Sequence, residues 1–401
     1  MAKKKKQDDA EVLQDLINSD VLNAKSYFIK SGIQILDAFI AGEKNLLAEN
    51  IGFPVSKIIG ISGDNAVGKS TLMMEICKRL CKQDMKVLYI DVERGLNIKS
   101  LRDYGLMDFA AYNPDIDRTS DIKEINALKT ECLNDFLEGR KLFYSVSPRS
   151  YNQIMRLIRY IFENNKKTPI KMIVIDSIKD AMATSVLDND DEVEEKQMMV
   201  NAKAQEDFLI KLKNFITYQE TACVIINQVR TKFKGQFAVL DEAGGQAWLH
   251  RADIRTLVKV HEPILKKVID NMGETVEKRI GNWISILIKK GRFGNAFSTL
   301  VIPVLFGKGV SLILLYFRTL ENVGVIKKDG YSFKIVIPEL GIDEKGKYDR
   351  MLQILKERFV DIENYIFNSG MLFVEKDIDD NSSGIVNVQD DEEVTDIVND
   401  L

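Results

Sequence analysis

The chain has 401 residues, 45% hydrophobic and 29% charged, with a formal net charge of −4. That length suits one large domain, or a core carrying one or two small ones. No segment approaches the roughly 18 uncharged apolar residues of a membrane helix, and the basic start MAKKKKQDD lacks the apolar stretch of a secretory signal.

In chain order, residues 10–19 have helical periodicity, with Val12, Leu13, Leu16 and Ile17 on one face. FIKSGIQILDAFIAG (28–42) joins a strand-like start to a short amphipathic helix. Then come apolar, β-branched runs: KIIGIS (57–62), KVLYIDVE (86–93), KLFYSVS (141–147), KMIVIDS (171–177) and TACVIINQ (221–228). Helical patterns fall near 70–83, 97–104, 151–164 and 199–218. Strands that are apolar throughout and alternate with helices predict a parallel sheet covered on both faces. Residues 108–139 form a polar, partly helical insertion. From about 254 the pattern changes to strands without helices, expected to be antiparallel, and a small mixed module follows near 312–374.

The end of the chain is acidic. Residues 375–401 hold ten Asp or Glu and one Lys, leaving 55 basic and 50 acidic residues in 1–374. The tail has too little apolar content to pack by itself and reads as disordered. The four cysteines show no disulfide pattern; Cys77 and Cys81 read as small core residues of a reduced, cytoplasmic protein. His250 and His261 do not stand at metal-ligand spacing with them, so no zinc site is expected.

GDNAVGKST (63–71) matches the P-loop, flanked by a strand and a helix as that motif requires. Glycines let the backbone curl so that successive N–H groups face phosphate oxygens. Gly63, Asp64, Asn65, Ala66, Val67, Gly68, Lys69, Ser70 and Thr71 are the candidate ATP contacts. Lys69 would reach the β- and γ-phosphates, and Ser70 would ligate Mg²⁺. Asp176, ending an apolar strand, is the candidate carboxylate for the magnesium shell, although Asp is also common in turns. Hydrolysis needs a group to orient water at the γ-phosphorus. Glu93 is the candidate, with Asp91 as competitor two residues earlier on the same strand face.

Taken in order, these segments resemble the RecA family of strand-exchange recombinases, and within it the phage UvsX-like branch. The resemblance runs from about residue 25 to 370 and includes SGIQILD, GDNAVGKST, YIDVERGL, IVIDSI, IINQVR, GGQAWLHRADI, IKKGR and FGKG. It implies a RecA-type P-loop ATPase core of α/β class with a mixed, mainly parallel sheet. The implied layout is an N-terminal helix and oligomerisation linker (1–30), a core (31–311), a small C-terminal α/β module (312–374) and the tail (375–401). It implies that Glu93 is the general base and Gln228 the nucleotide sensor. It also implies that Lys290 and Arg292 reach across a subunit interface to a neighbour's ATP. Where the family often places an adenine-stacking aromatic, seven residues after the glutamate, this chain has Ser100.

The resemblance further implies two DNA-binding loops. The first, near 184–201, is locally acidic and offers Lys196, Met198, Met199 and Lys203. The second lies between Gln228 and the Gly244–Gly245 pair. There Arg230, Lys232 and Lys234 alternate with Phe233 and Phe237, and cations can neutralise phosphates while aromatics stack on bases. An exposed hairpin with scattered lysines is the plainer reading of the same residues. Expected partners are single-stranded DNA, homologous duplex DNA and further copies of the chain in a helical filament, with a single-strand-binding protein and a loader as possible helpers and no membrane. The alternative is a ring-forming helicase or a RadA-like branch-migration ATPase. Those carry a separate N-terminal domain or a cysteine-rich zinc motif, and this sequence has neither. A KaiC-type regulatory ATPase usually shows a duplicated core, whereas here there is one P-loop.

Overall fold

The computed structural model describes residues 27–369, apart from 44, 188–193, 235–236 and 270–272, together with 387–388. The expected helix over 10–19 and the acidic tail other than 387–388 lie outside the described residues.

Five strands, β3, β4 and β6 of them largely buried, form the first parallel run of the main sheet: β3 (Ile58–Gly63), β4 (Lys86–Asp91), β5 (Phe143–Val146), β6 (Ile170–Asp176) and β7 (Ala222–Lys234). They follow two-residue strands β1 (Phe28–Ile29) and β2 (Phe53–Pro54), which pair with each other. β8 (Phe237–Glu242) folds back on β7. β9 (Ile254–Ile269) joins β3 in parallel, and β10 (Thr275–Lys290), β11 (Thr299–Leu305) and β12 (Gly309–Val310) continue antiparallel from it. The order across the sheet is β12-β11-β10-β9-β3-β7-β6-β4-β5. β3 is therefore central, and its carboxyl end opens into the P-loop.

Alternate residues of each strand feed opposite cores, as strand periodicity demands. Met172 and Val174 join the core on one face, and Ile173 and Ile175 that on the other. The first face is covered by α1 (Gln34–Ala41), α2 (Lys69–Cys81) and the C-terminal module. α3 (Ile98–Asp103) adds Leu101 to that face. The second is covered by α4 (Ile122–Leu137), α5 (Tyr151–Asn164), α7 (Glu194–Gln219) and α8 (Gly245–Arg251), with α6 (Thr184–Leu187) preceding α7. α5 starts sharply because Ser150 and Gln153 form a reciprocal capping box. α4 occupies the expected insertion and is anchored by Cys132, Phe136 and Leu137 near its C-terminal end. All four cysteines are free and buried.

Asp37, in the SGIQILD stretch, is fully buried and accepts from the Ser31 and Gly32 amides (2.9 and 3.2 Å). Burial pushes its carboxyl up to about 6, against the pull of those N–H groups. The module after the core consists of α9 (Leu312–Asn322), strands β13 (Ile326–Asp329), β14 (Ser332–Ile337) and β15 (Ile342–Gly346) in one antiparallel sheet, and helices α10 (Tyr348–Glu357) and α11 (Phe359–Ser369). Within the acidic tail, β16 (Asn387–Val388) lies parallel to β9 at Leu265 and Lys266.

One glycine sets the spacing beneath the site. A Cβ on Gly60 would come within 2.4 Å of Trp248 Cζ2 and 2.8 Å of Cη2. Trp248 is fully buried on α8 and cannot swing clear. We expect Gly60→Ala to destabilise by about 1–3 kcal/mol, the usual cost of overpacking. Urea denaturation should show a lower midpoint with an unchanged slope; an unchanged midpoint would show that the indole can move.

Candidate nucleotide site and DNA-facing hairpin

The P-loop runs from the end of β3 to the start of α2. Gly68 precedes the helix at φ 106°, and Ala66 sits at φ 58°. A side chain at Gly63 would place its Cβ 2.5 Å from the Val258 carbonyl. Position 63 therefore has no room for a side chain. The first N–H groups of α2 have no partner within the helix. The Lys69 ammonium turns into the loop and donates to the carbonyls of Gly63 and Asp64 (2.9 and 2.6 Å). Burial draws its pKa down, opposed by the carboxylates of Asp176, Glu93 and Asp64.

Asp176 ends β6 beside this loop. Its Oδ2 accepts from Ser70 Oγ at 2.8 Å and from Tyr89 Oη at 2.6 Å. Burial raises its pKa, against those two hydrogen bonds. A hydroxyl and a carboxylate oxygen held together suit a hard cation such as Mg²⁺, which fills the rest of its octahedron from water and substrate phosphates. Among the described residues no cluster of three or more His, Cys, Asp or Glu could hold a metal by itself.

Glu93 and its competitor Asp91 separate clearly. Asp91 is buried, and its carboxylate accepts from the amides of Gly95 and Leu96 (3.1 and 2.9 Å), so it shapes the turn after β4. Glu93 lies beyond the strand and is exposed. Its Oε1 accepts from Gln228 Nε2 at 3.0 Å. The Val92 and Glu93 amides both donate to the Asp176 carbonyl (2.7 and 3.2 Å), which registers this turn against β6.

β7 does not end at Gln228. It continues as one strand of a ribbon with β8, from the pair Val229↔Glu242 to Lys234↔Phe237. The expected polar loop is thus a β-hairpin for most of its length. It begins one residue after Gln228 and returns to the site through the Ala243 amide, which donates to the Gln228 carbonyl (3.0 Å). The buried Asn227 side chain closes the base by donating to the Ala243 carbonyl (2.7 Å). Arg230 is exposed; of Lys232, Phe233, Lys234 and Phe237 only the backbone is described. Gly244 sits at φ 96°, and a Cβ there would meet the Gln205 amide at 2.4 Å. Gly245 follows at φ 55° as the first residue of α8.

The first expected DNA segment is helical where it is described. α6 covers 184–187, and α7 starts at Glu194. Met199 and Lys203 are exposed on α7, while Lys196 and Met198 are described by backbone alone.

Lys290 and Arg292 stand at the other edge of the sheet. Lys290 pairs in register with Arg255, and Arg255 with Gly60. The Lys290 ammonium donates to the carbonyls of Leu249 and His250 at the end of α8. Arg292 bonds Asp253 (2.8 Å), whose carboxylate also accepts from the Ile58 amide at the start of β3. Five strand steps of about 3.3 Å each separate Ile58 from Gly63. As placed, Arg292 is held near the start of β3 and Lys290 at the end of α8, so both are engaged away from the P-loop.

Several site residues carried no signal in the sequence. Tyr89 lies inside an apolar strand and binds Asp176. Tyr104, four residues after Ser100, brings its hydroxyl to Thr71 (3.1 Å) at the P-loop helix. Ser100 itself is spent in the first turn of α3, where its amide donates to Asn97 Oδ1. Buried Glu242 accepts from Ser62 Oγ (3.0 Å) and Trp248 Nε1 (2.6 Å) and pairs with Arg255 and Lys289. It ties the hairpin to the P-loop strand. Lys179 donates to Gln228 Oε1.

Comparison with known proteins finds similarity to RecA. The RecA N-terminal domain model matches residues 141–311. Protein RecA of Mycoplasma mycoides subsp. mycoides SC is 25% identical over 350 residues, spanning 84% of this chain and 85% of that protein. Protein RecA of Borrelia turicatae is 22% identical over 343 residues, 85% of this chain and 82% of its own length. That of Ruminococcus albus is 25% identical over 291 residues, 72% and 62% respectively. Over most of its length the chain is similar to RecA proteins, at 22–25% identity. The segment matched by the RecA domain model holds Asp176, Gln228, the Gly244–Gly245 pair, Lys290 and Arg292. The P-loop and Glu93 precede it, on the far side of the α4 insertion. Among the described residues no helix is long and apolar enough to cross a membrane.

Proposed function

We propose that this RecA-family recombination protein binds ATP at 63–71, polymerises on single-stranded DNA, and pairs it with homologous duplex, hydrolysing ATP as DNA stimulates it. The observation that carries the reading is the path from Lys69 and Asp176 through Glu93 to Gln228, and then directly into the hairpin at Val229. Lys69 binds the phosphates, and Glu93 takes a proton from the water attacking the γ-phosphorus. Ser70 and Asp176 would hold a Mg²⁺, which would supply charge neutralisation at the phosphates. Gln228 reports the γ-phosphate to the hairpin, which grips the strand by charge and stacking.

Lys290 and Arg292 complete the site of an adjacent copy, where added cations stabilise the charge that grows on the transferring phosphoryl group. A head-to-tail contact of this kind, if it does not close, gives an open filament. Hydrolysis should then depend on assembly.

The test is phosphate release and strand exchange by wild type and Lys69→Ala, with electron microscopy on single-stranded DNA and ATP. We expect DNA-stimulated hydrolysis, strand exchange and long helical filaments in wild type, with hydrolysis and exchange lost in the variant. Closed rings would favour a helicase, and hydrolysis indifferent to DNA would reject the reading.

A further inference from the structure

We infer that Lys179 is a positioning residue for ATP hydrolysis, holding the Gln228 carboxamide so that both candidate DNA-binding segments are tied to Glu93. The inference rests on the functional reading above. Lys179 lies in the short 3₁₀ turn Ile178–Asp180 that follows Asp176 and precedes α6. That turn is fixed from within, because Ser177 Oγ donates to Asp180 Oδ2 (2.5 Å). The Asp180 carboxylate is thereby occupied by its own turn, and the neighbouring ammonium reaches out to Gln228 instead.

The chemistry of the two ends decides how the amide stands. An ammonium can only donate and a carboxylate can only accept. Gln228 therefore turns Oε1 to Lys179 and Nε2 to Glu93. Both bonds involve a charged partner and belong to the stronger class. With both made, the amide is clamped; with the ammonium removed, it hangs from Glu93 alone. Lys179 is also the last cation before the first candidate DNA segment, and Gln228 is the last residue before the hairpin. Their bond thus joins the roots of the two segments one hydrogen bond from the candidate base. Strand binding at either segment can reach Glu93 through this joint. Orientation of a catalytic group is the kind of term that changes turnover more than ground-state binding.

The test uses the full chain with ATP and an oligothymidylate as the DNA. Lys179→Met keeps the aliphatic stem and removes the ammonium, and Lys179→Arg keeps a donor. We expect Lys179→Met to lower DNA-stimulated kcat about tenfold while leaving the KM for ATP within about twofold. Lys179→Arg should retain most of the wild-type rate. Lys179→Met combined with Gln228→Ala should be no slower than Gln228→Ala alone, since a residue acting through another adds nothing once that other is gone. Wild-type kcat in Lys179→Met, multiplicative losses in the double variant, or equal damage in Lys179→Arg would overturn the inference and leave the functional reading intact. A loss in Lys179→Met matched by a fall in melting temperature that Lys179→Arg shares would also overturn it. A wild type whose hydrolysis ignores the oligonucleotide overturns the functional reading and this inference with it.

Discussion

Glu93→Gln should abolish most turnover while leaving nucleotide binding intact. The side chain keeps its size and can still accept from Gln228 Nε2, so the geometry at the end of β4 survives. What is lost is proton acceptance from the attacking water, a contribution typically worth about 10²–10⁴ in rate. The measurement is DNA-stimulated phosphate release beside equilibrium binding of a fluorescent ATP analogue. The control is Asp91→Asn. Asp91 caps the turn through Gly95 and Leu96, so its replacement should act on folding stability and only secondarily on rate. A Glu93→Gln enzyme within tenfold of wild type would remove Glu93 from the mechanism.

Arg292→Ala should cost about 10³ in turnover, the lower end of what a transferred arginine supplies to phosphoryl transfer. The more decisive result comes from mixing. Arg292→Ala chains keep an intact P-loop, and Lys69→Ala chains keep intact Arg292. If the site is shared between copies, a mixture should recover activity that neither variant has alone. The competing account is that Arg292 serves only its own fold, through the bond to Asp253 at the base of β3. It predicts a lowered melting temperature and no recovery at any mixing ratio.

The sequence carried the parallel core because fully buried strands write themselves as unbroken apolar runs. KIIGIS, KVLYIDVE and KMIVIDS became β3, β4 and β6 with ends shifted by one or two residues. The P-loop was equally plain, because its glycines are fixed by backbone geometry that the Gly63 and Gly68 environments display. The hairpin that β7 builds past Gln228 was legible only as the plainer of two readings of those residues. VRTKFK mixes charge with aromatics, and the two residues before its partner FAVLDE, Gly-Gln, carry no strong hairpin signature. The side chains that hold the site residues in place were invisible for a different reason. Tyr89, Lys179 and Glu242 meet their partners across 87, 49 and 180 residues, or across as few as six for Trp248, and a linear pattern encodes none of these contacts. Lys290 and Arg292 rest on family likeness alone; the strand register at Lys290 and the bond of Arg292 to Asp253 place them toward the start of β3, away from the end that carries the P-loop.

Nucleotide occupancy should control how the 229–243 segment holds a DNA strand. The direct measurement is fluorescence anisotropy of a labelled oligothymidylate titrated with the protein, with and without a non-hydrolysable ATP analogue. The account predicts that the analogue tightens binding by at least about tenfold, within the usual range of coupling between sites, and that Gln228→Ala erases the difference. Equal affinity in both conditions for the wild type, or an undiminished difference in Gln228→Ala, would contradict it.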